Sequence, residues 1–222
     1  MRRFGLTPLL VMAAIATAML VGARFTPHFP GDLEVTRAIQ PAFPAADWAR
    51  AVTRAAYVPW VYGVLAVSAL AAMRVAGWRA AVAMIVTFFA FMHLEHPIKD
   101  LIARPRPSPQ LVQMATTQSG YSMPSGWALL FGSTAGLLLA LAWTNTRGVA
   151  RTAYVAGCAF VLIAGLIARV SLGAHWPSDV LAGYLLAITV GLGVYEVLAS
   201  IKGKGQRAQG KGDARVKGKG AR

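Results

Sequence analysis

The sequence is dominated by six apolar blocks of about 20 residues each, the length that an α-helix needs to cross the hydrocarbon core of a bilayer. These blocks cover residues 5–23, 57–76, 79–96, 126–144, 152–169 and 177–200. Only 14% of the 222 residues are charged, whereas a soluble domain carries roughly 25% charged residues. The blocks predict an all-α, polytopic membrane protein, with six transmembrane helices bundled in a single domain over residues 1–200.

The net charge of +14 does not indicate nucleic-acid binding, because half of it lies in one segment at the end of the chain. Residues 201–222, IKGKGQRAQGKGDARVKGKGAR, carry a net charge of +7. A segment rich in Gly and Lys with so few apolar side chains cannot bury a core, so a disordered basic tail in the cytoplasm is predicted. Weak binding of anionic lipid headgroups is an alternative role for it.

The distribution of charge predicts that the N-terminus lies in the cytoplasm. With six helices in that orientation, 14 of the 22 Lys and Arg residues lie on the cytoplasmic side, in agreement with the positive-inside rule. The first block follows MRR and could be mistaken for a signal peptide. Its apolar run is longer than the usual signal core of about 7–15 residues, so we favour a retained membrane anchor.

The extracytoplasmic side then carries a segment over residues 24–56, a loop over residues 97–125 and a short turn around His175. The first segment contains DLEVTRAIQ, which is predicted to form a short amphipathic helix at the interface. Eight basic residues lie on this side against the topology rule. Four of them are close to membrane ends: Lys99, Arg104, Arg106 and Arg169. Cations kept in such positions indicate an anionic partner.

Three polar stretches open on this face: KDLIARPRP, PSG and RVSLGAHWPSD. Lys99, Arg106 and Arg169 are fixed cations that can neutralise the oxygens of a phosphate. Ser125 and Gly126 lie at the N-terminus of the fourth helix, where free backbone N–H groups and the helix dipole favour an anion. The three stretches together predict a phosphate site.

His175 and Asp179 add a nucleophile to this site. Asp179 falls in the first turn of the last helix, four residues after His175. A carboxylate in that position can accept the imidazole N–H and stabilise the charged ring. The other ring nitrogen is then free to attack phosphorus.

These motifs resemble those of the type 2 phosphatidic acid phosphatase family. Its pattern is Lys, six residues and Arg-Pro; then Pro-Ser-Gly-His; then Ser-Arg, five residues, His, three residues and Asp. Lys99 and Arg106 fit the first motif, residues 124–126 fit three of the four positions of the second, and Arg169, His175 and Asp179 keep the spacing of the third. Ala168 replaces the usual Ser. The run LGAHWPSDVLAG is typical of bacterial members, and the resemblance covers roughly residues 57–200.

The resemblance implies a lipid phosphatase of a bacterial inner membrane, with a site on the extracytoplasmic face that uses neither metal nor cofactor. Its substrate would be a phosphorylated membrane lipid. It implies that His175 forms a phosphohistidine and that Asp179 orients the ring. The residues implied to hold the phosphate are Lys99, Arg106, Ser125, Gly126 and Arg169.

Trp127 occupies the position where the family has the His that protonates the leaving group. General acid catalysis is typically worth about 10²–10⁴-fold. A lipid alkoxide is about as basic as hydroxide, whereas a departing phosphate monoester is only weakly basic, with a second pKa of about 6. The substitution therefore predicts that diphosphate lipids are preferred to phosphatidic acid.

Two other interpretations remain open for the reaction. One is a phosphotransferase that passes the phosphate to another lipid, and the other is a catalytically impaired binder or transporter of lipid phosphates. His93 or His96, which flank Glu95 in HLEHPIK, could replace the missing acid or could simply be interfacial residues.

Several other side chains are predicted to lie at the membrane surface. Arg104 matches no motif position and is predicted to face lipid headgroups. Trp60, Trp143 and Trp176 lie near block ends and are predicted to be interfacial anchors, and Trp127 could be one more.

Overall fold

The computed structural model describes residues 4–217, with side chains as far as Ile201, and every regular element in this part of the chain is helical. The helices are α1 (Leu6–Ala23), α2 (Asp32–Ala42), α3 (Asp47–Arg54), α4 (Trp60–Ala76), α5 (Trp78–Ile102), α6 (Gly126–Asn145), α7 (Gly148–Ser171) and α8 (Pro177–Lys217). Helix α6 contains one π-helical turn, Gly132–Gly136. The all-α prediction is confirmed.

Each of the six apolar blocks forms a helix. Five described helices, α1, α5, α6, α7 and α8, are long and apolar enough to cross a membrane, and α4 is shorter at 17 residues. Helix α8 continues to Lys217, beyond the predicted end of the sixth block at residue 200. The predicted disordered tail, residues 201–222, lies almost wholly beyond the described side chains and stays a prediction, and Arg2 and Arg3 lie outside the described residues.

Helix α6 is the central helix, since 89% of the residues in its 18-residue apolar stretch are buried inside the protein. It packs closely on α8 because glycines remove side chains from the interface. A Cβ on Gly132 would lie 2.9 Å from the Cβ of Ala187, and one on Gly183 would lie 2.8 Å from that of Ala128. At the end of this contact the N–H of Ser125 donates to the carbonyl of Asp179 at 3.2 Å, which fixes the starts of the two helices together.

The two short helices α2 and α3 cover the end of the bundle where α6 and α8 begin. Helix α2 contains the predicted DLEVTRAIQ segment, and its Gln40 side chain exchanges two hydrogen bonds with the backbone of Gln113, at 2.7 and 3.0 Å. These bonds hold the loop over residues 103–125 against the bundle. Helix α3 was not predicted, because it has only eight residues and no apolar block.

The three tryptophans predicted to be interfacial anchors differ in their exposure. Trp60 and Trp143 are 68% and 57% exposed, as expected for anchors. The prediction is wrong for Trp176, which is 1% exposed. Its ring packs against that of His28 with 5.3 Å between centroids, because the segment before α2 covers the turn between α7 and α8.

Candidate active site

A cavity of about 450 Å³ lies where α5 and α7 end and α6 begins. Its walls bring together five of the predicted site residues, Lys99, Arg106, Gly126, Arg169 and His175. Thr53, Tyr57 and the uncharged loop over residues 116–119 also line the cavity. The motifs that are far apart in sequence therefore meet in one polar cavity.

Two of the cations are buried at the ends of their helices. Lys99 is 7% exposed, and its Nζ lies 2.5 Å from Oε1 of Glu95. Arg169 is 5% exposed and donates to Thr53 and Gln118, while its buried Nε has no partner among the described residues. Buried cations are costly unless an anion compensates them, so this cavity is suited to an anionic ligand.

Arg106 approaches the cavity from the loop over residues 103–125. Its Nη1 donates to the carbonyl of Ala174 at 2.7 Å and lies 3.5 Å from Nε2 of His175. Burial lowers the pKa of Arg106, against the attraction of Asp179 and Glu95, which raises it. The guanidinium is thus placed directly beside the imidazole nitrogen that faces the cavity.

His175 is 1% exposed and lies in the turn before α8. Burial lowers its pKa well below the ordinary value, and the charges of Arg169, Arg106 and Lys99 lower it further. Because a lowered pKa keeps the ring unprotonated at neutral pH, the imidazole is in its nucleophilic form. Its Nδ1 lies 3.6 Å from Oδ2 of Asp179, which is close but longer than a hydrogen bond.

Asp179 belongs to a buried network that the sequence did not indicate. Its Oδ1 accepts from Arg104 at 2.5 Å, and its Oδ2 accepts from the N–H of Trp176 at 2.9 Å. Arg104 also donates to Asp32 at 2.8 Å, and both side chains are almost completely buried. The prediction that Arg104 faces lipid headgroups is wrong, because two carboxylates hold it inside the protein.

Ser125 and Gly126 have different positions at the start of α6. Gly126 lines the cavity, where a Cβ would collide with the carboxylate of Glu95. Ser125 is buried behind it, and its hydroxyl has no partner among the described residues. The first N–H groups of an α-helix have no intrahelical acceptor, so this end of α6 can bind an anion.

A family model for the PAP2 superfamily matches residues 76–201, more than half of the chain. The chain belongs to the PAP2 superfamily. This result confirms the family predicted from the three motifs. No curated protein matches the chain.

A solved structure of a PAP2 protein has a similar fold. It is the crystal structure of a transmembrane PAP2-type phosphatidylglycerolphosphate phosphatase from Bacillus subtilis, with a TM-score of 0.65 and 15% sequence identity. The match covers 87% of this chain and 96% of that chain. At this identity the likeness establishes the fold, while the function must be argued from the site.

Trp127, at the position of the missing PAP2 histidine, is a packed core residue that also lines the cavity. It is 5% exposed, its Nε1–H donates to the carbonyl of Val52 at 3.0 Å, and its ring stacks on Phe131 with 3.8 Å between centroids. The alternative that it is an interfacial anchor is therefore wrong. The indole fits above Gly165 of α7, where a Cβ would collide with the ring.

This fit predicts a strong coupling between positions 127 and 165. We expect Gly165→Ala to lower the free energy of unfolding by about 1–3 kcal/mol in the native protein, because overpacked cores are strained by about that amount. With Trp127→His the smaller ring leaves room, and adding Gly165→Ala is expected to have little further effect. Thermal unfolding of the four proteins of this double-mutant cycle measures the coupling. Equal effects of Gly165→Ala in both backgrounds would contradict the proposed contact.

The two candidate substitute acids are not part of the cavity. His93 and His96 are exposed on α5, and the Nδ1 of His93 lies 2.7 Å from the carbonyl of Phe89. Glu95 lies between them in sequence and lines the cavity instead. The helical spacing of Glu95 and Lys99, four residues apart, was the signal that could have placed this carboxylate beside the phosphate motif.

Proposed function

We propose that this PAP2 protein is a lipid phosphatase that removes phosphate from an isoprenyl diphosphate or another lipid phosphate through a phosphohistidine at His175. The observation that carries this proposal is one cavity in which the buried imidazole of His175, whose pKa is lowered by burial, faces three cations, Lys99, Arg106 and Arg169. An unprotonated imidazole can attack phosphorus, and three cations can hold the oxygens of a phosphate while negative charge develops on them.

In the proposed reaction Nε2 of His175 attacks the terminal phosphorus, and the bond from that phosphorus to the oxygen of the leaving group breaks. A diphosphate then releases the lipid monophosphate through its bridging oxygen, and a monophosphate releases the lipid alcohol. Asp179 lies beside Nδ1 and stabilises the positive charge that the ring acquires. Water then attacks the phosphohistidine and releases inorganic phosphate. The diphosphate is the better substrate, because its leaving group is a weakly basic phosphate monoester, whose second pKa is about 6.

An apolar groove supports a lipid as the substrate. It has a volume of about 510 Å³ and lies between α4, α6 and α7, with Val64, Phe131 and Val161 among its walls. Phe131 stacks on Trp127, which lines the polar cavity. A substrate with a phosphate and a long apolar chain matches this pair of adjoining surfaces.

We further propose that all six long helices, including α4, cross the inner membrane of a bacterium. Helix α4 has 17 residues, which is the lower limit of the usual range of about 17–25 for a transmembrane helix. With the N-terminus in the cytoplasm, α5 and α7 end and α6 and α8 begin on the extracytoplasmic side. The cavity then opens on that side, where the topology rule disfavours the cations that line it.

Phosphate release by the purified protein tests the proposed function. We expect hydrolysis of farnesyl diphosphate that is inhibited by vanadate, because vanadate mimics the transition state at phosphorus. We expect chelators to leave the rate unchanged. Saturable binding of the diphosphate without any phosphate release would contradict the phosphatase and would favour the binder or transporter, and transfer of the phosphate to an added lipid alcohol would favour the phosphotransferase.

A further inference from the structure

We propose that Glu95 supplies the leaving-group proton that Trp127 cannot provide. The inference rests on the proposed phosphatase function and adds to it a catalytic residue that the motifs of the chain do not include. It also widens the substrate range, because a protein with an acid in this position can hydrolyse lipid monophosphates as well as diphosphates.

The first support is the position of the Glu95 carboxylate at the start of α6. It occupies the space that a side chain at position 126 would take, so that only glycine leaves room for it. Trp127 follows directly, with its indole turned towards Val52 and Gly165. An acidic group therefore lies next to the position from which the family histidine acts, although it comes from a different helix.

The second support is the composition of the cavity. Glu95 is the only carboxyl group among the described lining residues, and it shares the cavity with His175 and with the three cations. His93 and His96 are exposed outside it. Tyr57 also lines the cavity and carries an acidic proton, but its side chain is 54% exposed. Of the two acids Glu95 and Tyr57, Glu95 is the one held in place by an ion pair, at 2.5 Å from Lys99.

The substrate supplies the proton that Glu95 delivers. In the ligand-free site the partner of Glu95 is Lys99. A bound phosphate takes the interactions of Lys99, Arg106 and Arg169 and lies beside the Glu95 carboxylate. A substrate that enters as the monoanion carries a proton on its phosphate, and this proton passes to the carboxylate.

The proton balance closes over the two steps. When Nε2 of His175 forms its bond to phosphorus, the bond to the lipid oxygen breaks and the Glu95 proton passes to that oxygen. In the second step water attacks phosphorus, and both of its protons remain on the inorganic phosphate that is released. The nitrogen–phosphorus bond breaks, which returns His175 to its unprotonated nucleophilic form, and Glu95 takes its proton again from the next substrate monoanion.

The test compares Glu95→Gln with the native protein on farnesyl monophosphate and farnesyl diphosphate. The two substrates have the same chain but leaving groups of very different basicity. We expect kcat of Glu95→Gln to fall by about 10²–10⁴-fold on the monophosphate and to stay within a few-fold on the diphosphate. The ratio of the two kcat values removes the effect of the lost negative charge on binding, and retained diphosphate hydrolysis shows that the variant is folded.

The matched controls are Asp100→Asn and His96→Gln, two exposed positions on the same helix, for which the kcat ratio is expected to be unchanged. An equal loss on both substrates would overturn the proposal, since it would indicate a role in binding or folding. An equal gain on both would also overturn it and would indicate that the carboxylate only competes with phosphate. A selective loss in Tyr57→Phe instead would assign the proton to Tyr57. If the native protein hydrolyses neither substrate, the phosphatase function fails together with this inference.

Discussion

Replacement of His175 by alanine is expected to lower phosphate release from an isoprenyl diphosphate by a factor on the order of 10⁴ or more, because the reaction loses its nucleophile. The imidazole is 1% exposed and is surrounded by the three cations of the cavity. These cations and the helix N-terminus remain in the variant, so the affinity for the substrate should change far less than the rate. Initial rates of phosphate release, measured with saturating substrate, give the effect on kcat directly.

His96→Ala is the matched control, since this histidine is exposed on α5 and outside the cavity. Its rate is expected to remain within about two-fold of the native rate, as for surface changes away from a site. Thermal unfolding of His175→Ala shows whether its fold is kept. A folded His175→Ala protein that retains a tenth of the native rate would exclude His175 as the nucleophile.

Replacement of Arg104 by methionine is expected to lower the free energy of unfolding by about 3–5 kcal/mol, the usual effect of breaking a buried ion pair on one side. Arg104 is completely buried and binds Asp32 and Asp179, which are 4% and 0% exposed. Without the guanidinium both carboxylates are left without their counter-charge. The rate should fall as well, because Asp179 loses the contact that holds its position beside His175.

Arg24→Met is the control for the loss of one positive charge, because Arg24 is exposed in the segment between α1 and α2 and has no part in this network. The double variant Arg104→Met with Asp32→Asn removes one of the two negative charges that Arg104→Met leaves without a counter-charge. It is expected to recover part of the lost free energy of unfolding. Thermal unfolding and phosphate release are measured for all three variants. The network has no structural role if Arg104→Met unfolds at the temperature of the Arg24→Met control.

The sequence was most informative where the pattern is local. An apolar run of about 20 residues has few alternatives to a membrane helix, and all six runs are helical. The spacing within the motifs also predicted that Lys99, Arg106, Arg169 and His175 would meet in one cavity, which they do. These predictions depend on residues that are close in sequence or belong to a recognised pattern.

The sequence failed where a side chain depends on a distant partner. Arg104 resembles any cation at a helix end, and its burial follows from Asp32, which lies 72 residues earlier in a short helix. Trp127 could also be taken for an anchor from the sequence. The space above Gly165 that its ring fills and the Val52 carbonyl that accepts its N–H are brought together only in the folded chain. Glu95 was grouped with two histidines, and only the packing of α5 on α6 separates it from them.

The phosphohistidine at His175 is the central claim, and trapping it is the most direct test. The native protein is mixed with farnesyl diphosphate labelled on its terminal phosphate, quenched within one turnover and digested for peptide mapping. We predict a covalent label on His175 that is lost in acid, is stable in alkali and is absent from His175→Ala. Phosphate release without any labelled intermediate, or a label on another residue, would contradict the account.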